Sequence, residues 1–130
     1  MNTTSHFRKI TLHLARDKEF PEGSARHGYE FIAPLNANSK IDAAAWKEQR
    51  ARCSVRRFWG DDAPMRGQLA HHAGGNSGAT WGFDYDIDSD NDEEAGIRFG
   101  DHAFTLGEYV SIRDANGVIR TFRVASVTPG

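Results

Sequence analysis

The stretch from residue 81 to residue 88 constrains the fold of this chain more than any other. Its apolar residues, which alternate with glycine and aspartate, are Trp81, Phe83, Tyr85 and Ile87. A two-residue period of this kind is typical of a β-strand with one apolar face and one solvated face. The apolar face must turn toward an interior shared with other strands. This segment therefore predicts a sheet protein with an aromatic core.

Other strand candidates follow one another at the spacing of hairpins. They are residues 8–15, 29–33, 54–59, 65–72, 96–99, 108–114 and 118–127, with 17–27 as a loop. Pro34 should end the second of these strands or confine it to a sheet edge. The chain has 13 Gly and eight Phe but only five Leu, which also favours strands. We predict a mainly β fold: a small antiparallel barrel or strongly curved sheet of about seven or eight strands.

Two hairpins allow their register to be predicted. The five-residue loop 60–64 predicts the pairs Trp59–Met65, Arg57–Gly67, Val55–Leu69 and Cys53–His71. The turn 115–117, with Gly117 at a positive φ, predicts the pairs Val110–Phe122, Ser111–Thr121 and Tyr109–Arg123.

One short helix is expected after Asp42, which is a good N-cap before the helix formers of residues 43–49. It should end near Arg52 and plug or cover the sheet. The 130 residues allow one core but not two, and no repeat or linker divides them. We therefore expect a single β-rich domain over residues 1–130.

Charge and cysteine content restrict partners and location. The formal net charge of -2 provides no general attraction for nucleic acid or an anionic membrane. Cys53 is the only cysteine, and no stretch approaches the roughly 20 apolar residues that span a bilayer. These features predict a soluble, cytoplasmic protein with no membrane segment and no cofactor.

Acidic and histidine residues suggest a metal site. The carboxylates of residues 84–92 alternate, but Asn91 falls where an EF-hand loop starting at Asp86 needs glycine, so a solvated strand face is the favoured interpretation. His71 and His102 with nearby carboxylates would suit zinc or non-haem iron. The weak candidate ligands are His71, His102, Asp84 and Asp86. They define an alternative function, a small metal-dependent enzyme or metalloprotein.

Cys53 opposite His71 could form a thiolate and base, although a lone cysteine in an aromatic core more often acts as a small hydrophobe. Residues 46–59 mix Arg with Trp and Phe and suggest single-stranded nucleic-acid binding as a second alternative. We favour Arg side chains lying over aromatic rings, or meeting the acidic region 84–94 in the same molecule or a homodimer. Nucleic acid is therefore an unlikely partner.

Polar residues on apolar strand faces give the leading hypothesis. The candidate ligand-binding residues are Arg57, Trp59, His71 and Glu108. A barrel that encloses such groups among aromatics can bind a small ligand. The alternative is a structural ion pair between Arg57 and Glu108. We predict a non-catalytic binding or interaction module for a small ligand, a protein partner or a second copy of the chain.

Overall fold

The alternation of apolar and polar residues along the strands becomes the inside and outside of a closed barrel. The computed structural model describes residues 5–72, 80–85, 94–97, 99–114 and 116–130. Within them, eight antiparallel strands pair in sequence order, and the last pairs with the first. They are β1 (His6–Leu14), β2 (Ser24–Leu35), β3 (Ser54–Trp59), β4 (Met65–His72), β5 (Thr80–Tyr85), β6 (Glu94–Ile97), β7 (Tyr109–Arg113) and β8 (Ile119–Pro129). The prediction of a mainly β antiparallel barrel is confirmed.

The short helix is also where the sequence predicts it. Helix α1 spans Ala43–Glu48, and the Asp42 carboxylate accepts a hydrogen bond of 3.1 Å from the backbone N–H of Ala45. Short 3-10 helices follow at Arg50–Arg52 and Phe99–Asp101. Within the described parts of the chain, no helix has the length and apolar character needed to cross a membrane.

The two ends of the barrel differ. At the helix end, beside α1, the indole N–H of Trp46 donates a 2.9 Å hydrogen bond to the carbonyl of Leu69. Phe31 lies in the core with ring centroids 5.3 Å from Phe83 and 5.7 Å from Phe104. The opposite end, where β1 and β3 end and β6 begins, we call the mouth. The interior is thus sealed by aromatic rings at the helix end.

Strand β2 is longer than predicted. It begins at Ser24, inside the expected loop, and continues through Pro34 to Leu35. Pro34 does not end the strand because β3 pairs only with His27 to Phe31 of β2, so no N–H is needed toward β3 at residue 34, whose carbonyl accepts a hydrogen bond from the N–H of Asp42. That part of β2 is a local edge, where a residue without an N–H is tolerated.

One predicted register is confirmed and one is wrong. The last hairpin pairs Val110 with Phe122 and Tyr109 with Arg123, and Gly117 has a φ of 82°. In the hairpin of β3 and β4 the register differs by two residues, with these pairs: Val55–Gly67 and Arg57–Met65. Trp59 has no partner on β4, which lengthens the turn, and pairs with His27 on the β2 side. A shift of two residues keeps every side chain on its expected face.

Candidate functional site

The polar groups inside the barrel gather toward the mouth. Arg57 points inward because it alternates with Val55 and Trp59 on β3, and Glu94 begins β6 with only 3% exposure. The hydroxyl of Tyr85 donates a 2.6 Å hydrogen bond to Oε1 of Glu94. Nε of Arg57 lies 3.4 Å from Oε2 of the same carboxylate, and Tyr29 interacts with both charged groups. These four residues form the polar cluster.

Burial dominates the protonation of the polar cluster. It raises the pKa of Glu94, although the Tyr85 hydroxyl and the Arg57 charge act in the opposite direction. Burial, followed by the charge of Glu94, raises the pKa of both Tyr29 and Tyr85. The two tyrosines therefore stay neutral hydroxyl donors at ordinary pH.

Trp59 joins the polar cluster to the rim of the mouth. Its ring centroid lies 4.4 Å from Cζ of Arg57 and 5.4 Å from Cζ of Arg120. Arg120 also pairs with two carboxylates of the loop between β1 and β2, at 2.8 Å from Asp17 and 2.5 Å from Glu19. Two guanidinium groups on different strands thus meet one half-buried indole.

The same loop brings a second aromatic group to the rim. The Phe20 ring lies 4.4 Å from the ring of His27, which meets Trp59 edge-on at 4.7 Å. Burial first, and then the charges of the neighbouring arginines, lower the pKa of His27. The imidazole is therefore neutral near pH 7 and adds to the apolar rim.

Two guanidinium N–H groups of the mouth are buried without a hydrogen-bond acceptor among the described residues. They are Nε of Arg57 and Nε of Arg120. Glu94 lies close to the first of them but does not accept a hydrogen bond from it. Buried donors are nearly always satisfied in folded proteins, so each such group calls for an explanation.

The four candidate ligand-binding residues do not lie together in one site. Arg57 and Trp59 are together at the mouth. His71 lies at the helix end, where its ring stacks on Trp81 at 4.1 Å. Glu108 is exposed just before β7, and its carboxylate accepts a hydrogen bond from the N–H of Tyr109.

The predicted ion pair between Arg57 and Glu108 is wrong, because Arg57 pairs with the buried Glu94 and Glu108 is exposed. Glu94 takes the place of Glu108. One expectation from the sequence pointed toward Glu94, since the arginine-rich run was expected to meet the acidic region 84–94. Periodicity did not single out Glu94, because it begins a strand of only four residues.

The metal candidates within the described residues do not form a cluster. Asp84 is exposed on the outer face of β5, and Asp86 lies outside the described residues. His71 and His102 lie in the described part of the chain, where no group of three or more His, Cys, Asp or Glu side chains could hold a metal ion. Nothing in these residues supports placing a metal centre here.

Cys53 is not opposite His71. Its carbonyl accepts a hydrogen bond of 2.8 Å from the N–H of Leu69, as the two-residue shift in register requires. The side chain is fully buried, and burial raises the pKa of the thiol to about 11. The thiol is therefore protonated at neutral pH, which is unfavourable for a nucleophile.

The arginine and aromatic residues of 46–59 are distributed over the barrel. Arg56 and Phe58 face outward, whereas Arg57 and Trp59 face inward. The arginines lie over aromatic rings, in these pairs: Arg50–Trp46, Arg52–Phe7, Arg56–Phe58 and Arg57–Trp59. The favoured interpretation of this run, arginines covering aromatic faces, is confirmed. Comparison of the chain with protein families, curated proteins and solved structures found no match.

Proposed function

We propose that this protein is a non-catalytic binding module that holds a small planar molecule at the mouth of the barrel. The ligand would carry a carbonyl or carboxylate oxygen. The observation that carries the proposal is the pair of buried guanidinium N–H groups without an acceptor, on Arg57 and Arg120, beside the same Trp59 ring.

A ligand oxygen would supply the acceptor that these groups lack. A buried donor without a partner costs about 1–3 kcal/mol, and a hydrogen bond to a charged donor recovers more than one between neutral groups. The Arg57 side chain as a whole retains 18% exposure, although its Nε is buried. The neighbouring Tyr29 and Tyr85 hydroxyls already donate to Glu94, so the two Nε groups are the donors left for a ligand.

The apolar groups of the mouth favour a planar ligand. Phe20, Trp59 and Met65 are all partly buried and packed against the core. Ligand sites commonly combine such apolar walls with a few placed polar groups. An eight-stranded barrel has an interior that side chains can fill or that can hold one small ligand. Here the helix end is filled, and the polar groups lie near the mouth.

The test uses benzoate, benzamide and toluene as probes, observed through the indole N–H signals in an NMR titration. Benzoate or benzamide should shift the Trp59 signal saturably, whereas toluene, which has no acceptor, should bind more weakly. Trp46 and Trp81 lie at the helix end, so their signals serve as internal references. A Trp59→Phe variant assigns the signals.

A matched pair of variants tests the role of the guanidinium. Arg57→Lys keeps the charge beside Glu94 but removes the planar N–H fork, and should weaken binding about tenfold or more. Arg56→Lys changes the adjacent, outward-facing residue and should leave binding unchanged. The proposal fails if no probe shifts the Trp59 signal, or if Arg57→Lys binds as tightly as the wild type.

Self-association, a protein partner and a cytoplasmic location stay predictions from the sequence. Size-exclusion chromatography with light scattering tests the homodimer directly. A monomer at micromolar concentration would remove that prediction while leaving the small-ligand proposal intact.

A further inference from the structure

A groove of about 570 Å³ lies on the outside of the barrel, and its lining shares no residue with the polar cluster. It runs between the end of β1, the beginning of β2 and the strands β7 and β8. Among the side chains that line it are His13, Arg16, Glu22, Ser24, Tyr109 and Arg123. None of these residues belongs to the polar cluster at the mouth.

The strand registers explain why a groove opens there. His13 pairs with Gly28, but the next residue, Leu14, pairs with Ser24. The three residues 25–27 therefore have no partner on β1, and β2 bends away from it. The N–H of Ala15 donates instead to the carbonyl of Thr121 on β8, at 2.9 Å. The groove is part of the barrel framework rather than a gap between loose side chains.

The groove carries more positive than negative charge. Arg16 and Arg123 form no ion pair with any residue in the described ranges, in contrast to Arg26, Arg56, Arg57 and Arg120. Glu22 supplies a carboxylate to the same lining. His13 pairs directly with Arg123 across β1 and β8, and burial, followed by the charge of this guanidinium, lowers the pKa of the imidazole. Two guanidiniums and an imidazole thus share one concave surface.

An aromatic face lies beside these charges. Tyr109 is 54% exposed and is paired across the strands with Arg123. Side chains of directly paired residues lie roughly 5 Å apart at Cβ. A ligand with a planar ring could therefore lie on Tyr109 while its anionic group reaches Arg123.

We propose that this groove binds a small phosphate monoester with a planar ring. Arg123 and Arg16 hold the phosphate, since a guanidinium matches two phosphate oxygens, and Tyr109 contacts the ring. A dianion suits two unpaired guanidiniums better than a single negative charge does. Glu22 faces the same space and limits how far toward β2 the phosphate can lie.

The experiment titrates phenyl phosphate into the full chain and follows the imidazole C–H signals of His13 by NMR. Phenyl phosphate should shift the His13 signal saturably at millimolar or lower concentration, and inorganic phosphate should bind more weakly. Arg123→Gln should weaken binding at least about tenfold, because it removes a charge-assisted bidentate contact. Arg113→Gln removes an exposed arginine of β7 that does not line the groove and should have little effect.

A second variant separates the ring contact from the phosphate contact. Tyr109→Ala should weaken phenyl phosphate but not inorganic phosphate. Tyr109 and Arg123 are exposed, so circular dichroism should show that both variants fold. The proposal is overturned if phenyl phosphate gives no saturable shift, if Arg113→Gln weakens binding as much as Arg123→Gln, or if Tyr109→Ala leaves phenyl phosphate binding unchanged. Benzoate binding at the mouth should survive Arg123→Gln, which keeps the two proposals distinct.

Discussion

Glu94 is the residue in which burial and charge oppose each other most directly. Among the described residues, it is the one charged side chain that is buried. Its partners Tyr85 and Arg57 favour the carboxylate, but burial outweighs them and the pKa is raised from 4.5. The native state therefore binds the Glu94 proton more tightly than the unfolded state does. By linkage, the contribution of this group to stability is lost as the pH rises from 4.5 through the raised pKa.

The variant Glu94→Gln tests whether the pKa of Glu94 is raised in the folded protein. Gln keeps an acceptor for the Tyr85 hydroxyl but has no titrating proton. We expect the free energy of unfolding of the wild type to fall relative to that of the variant as the pH rises above 4.5. Urea unfolding of both proteins over a pH series measures the difference. A constant difference, or a wild type that gains relative stability with rising pH, would contradict the inferred pKa direction.

Asp42→Asn is the matched control, because the pKa of Asp42 is shifted downward whereas that of Glu94 is shifted upward. The hydrogen bonds from Ser5 and from the Ala45 N–H lower the pKa of Asp42 below 3.8. The wild type should therefore lose stability relative to Asp42→Asn only as the pH falls below 3.8. Asn also caps helices well, so the helix start should be retained.

At the scale of elements, β6 and the 3-10 helix after it depend on a glycine. A Cβ atom at Gly96 would lie 2.5 Å from Cγ of Phe99, well inside van der Waals contact. Phe99 is 1% exposed and meets Phe104 at a centroid distance of 5.2 Å. The ring can therefore lie over β6 only because residue 96 has no side chain.

Gly96→Ala should destabilise the protein by about 1–3 kcal/mol, the usual cost of overpacking a core. Gly100→Ala is the control, because a Cβ atom there would meet its nearest neighbour, Nε1 of Trp81, at an ordinary 3.5 Å. Chemical unfolding of both variants measures the effect. Equal stabilities for the two variants would show that Phe99 moves aside at no cost.

At the scale of the whole molecule, the pairing of β1 with β8 turns a curved sheet into a barrel. The pairing runs from Arg8 with Pro129 to Leu14 with Phe122. The N–H of Gly130 adds a 2.9 Å hydrogen bond to the carbonyl of Phe7. Since β1 also pairs with β2 along its length, both of its sides are hydrogen-bonded. Closure removes the edge strands through which open sheets associate.

Hydrogen exchange distinguishes the closed barrel from an open sheet. We expect every amide of β1 to be protected from exchange, because successive N–H groups point alternately to β2 and to β8 and both strands supply acceptors. In an open sheet, every second amide of β1 would exchange rapidly. Native-state exchange measured by NMR provides the test, with the exposed amides of Lys18 and Glu22 in the loop between β1 and β2 as the fast-exchanging reference. Rapid exchange at alternate β1 residues would contradict closure.

Local sequence determined much of this architecture. The alternation of Trp81, Phe83 and Tyr85 placed all three side chains in the core. The residues around Gly117 fixed the register of the last hairpin, and Asp42 fixed the start of α1. In each case the decisive interaction lies within a few residues along the chain, so the local structure can be predicted from the sequence without knowledge of the fold.

Only the tertiary structure decided closure of the barrel and the composition of the site. Periodicity shows which face of a strand is buried, but not which strand faces it across the barrel or at what height. The pairing of the strands around the barrel placed Glu94 rather than Glu108 beside Arg57, and brought Arg120 to Trp59. These contacts depend on the register of every strand pair that lies between the two residues and on closure of the barrel. A two-residue change in one hairpin keeps the buried face and still alters which residues meet.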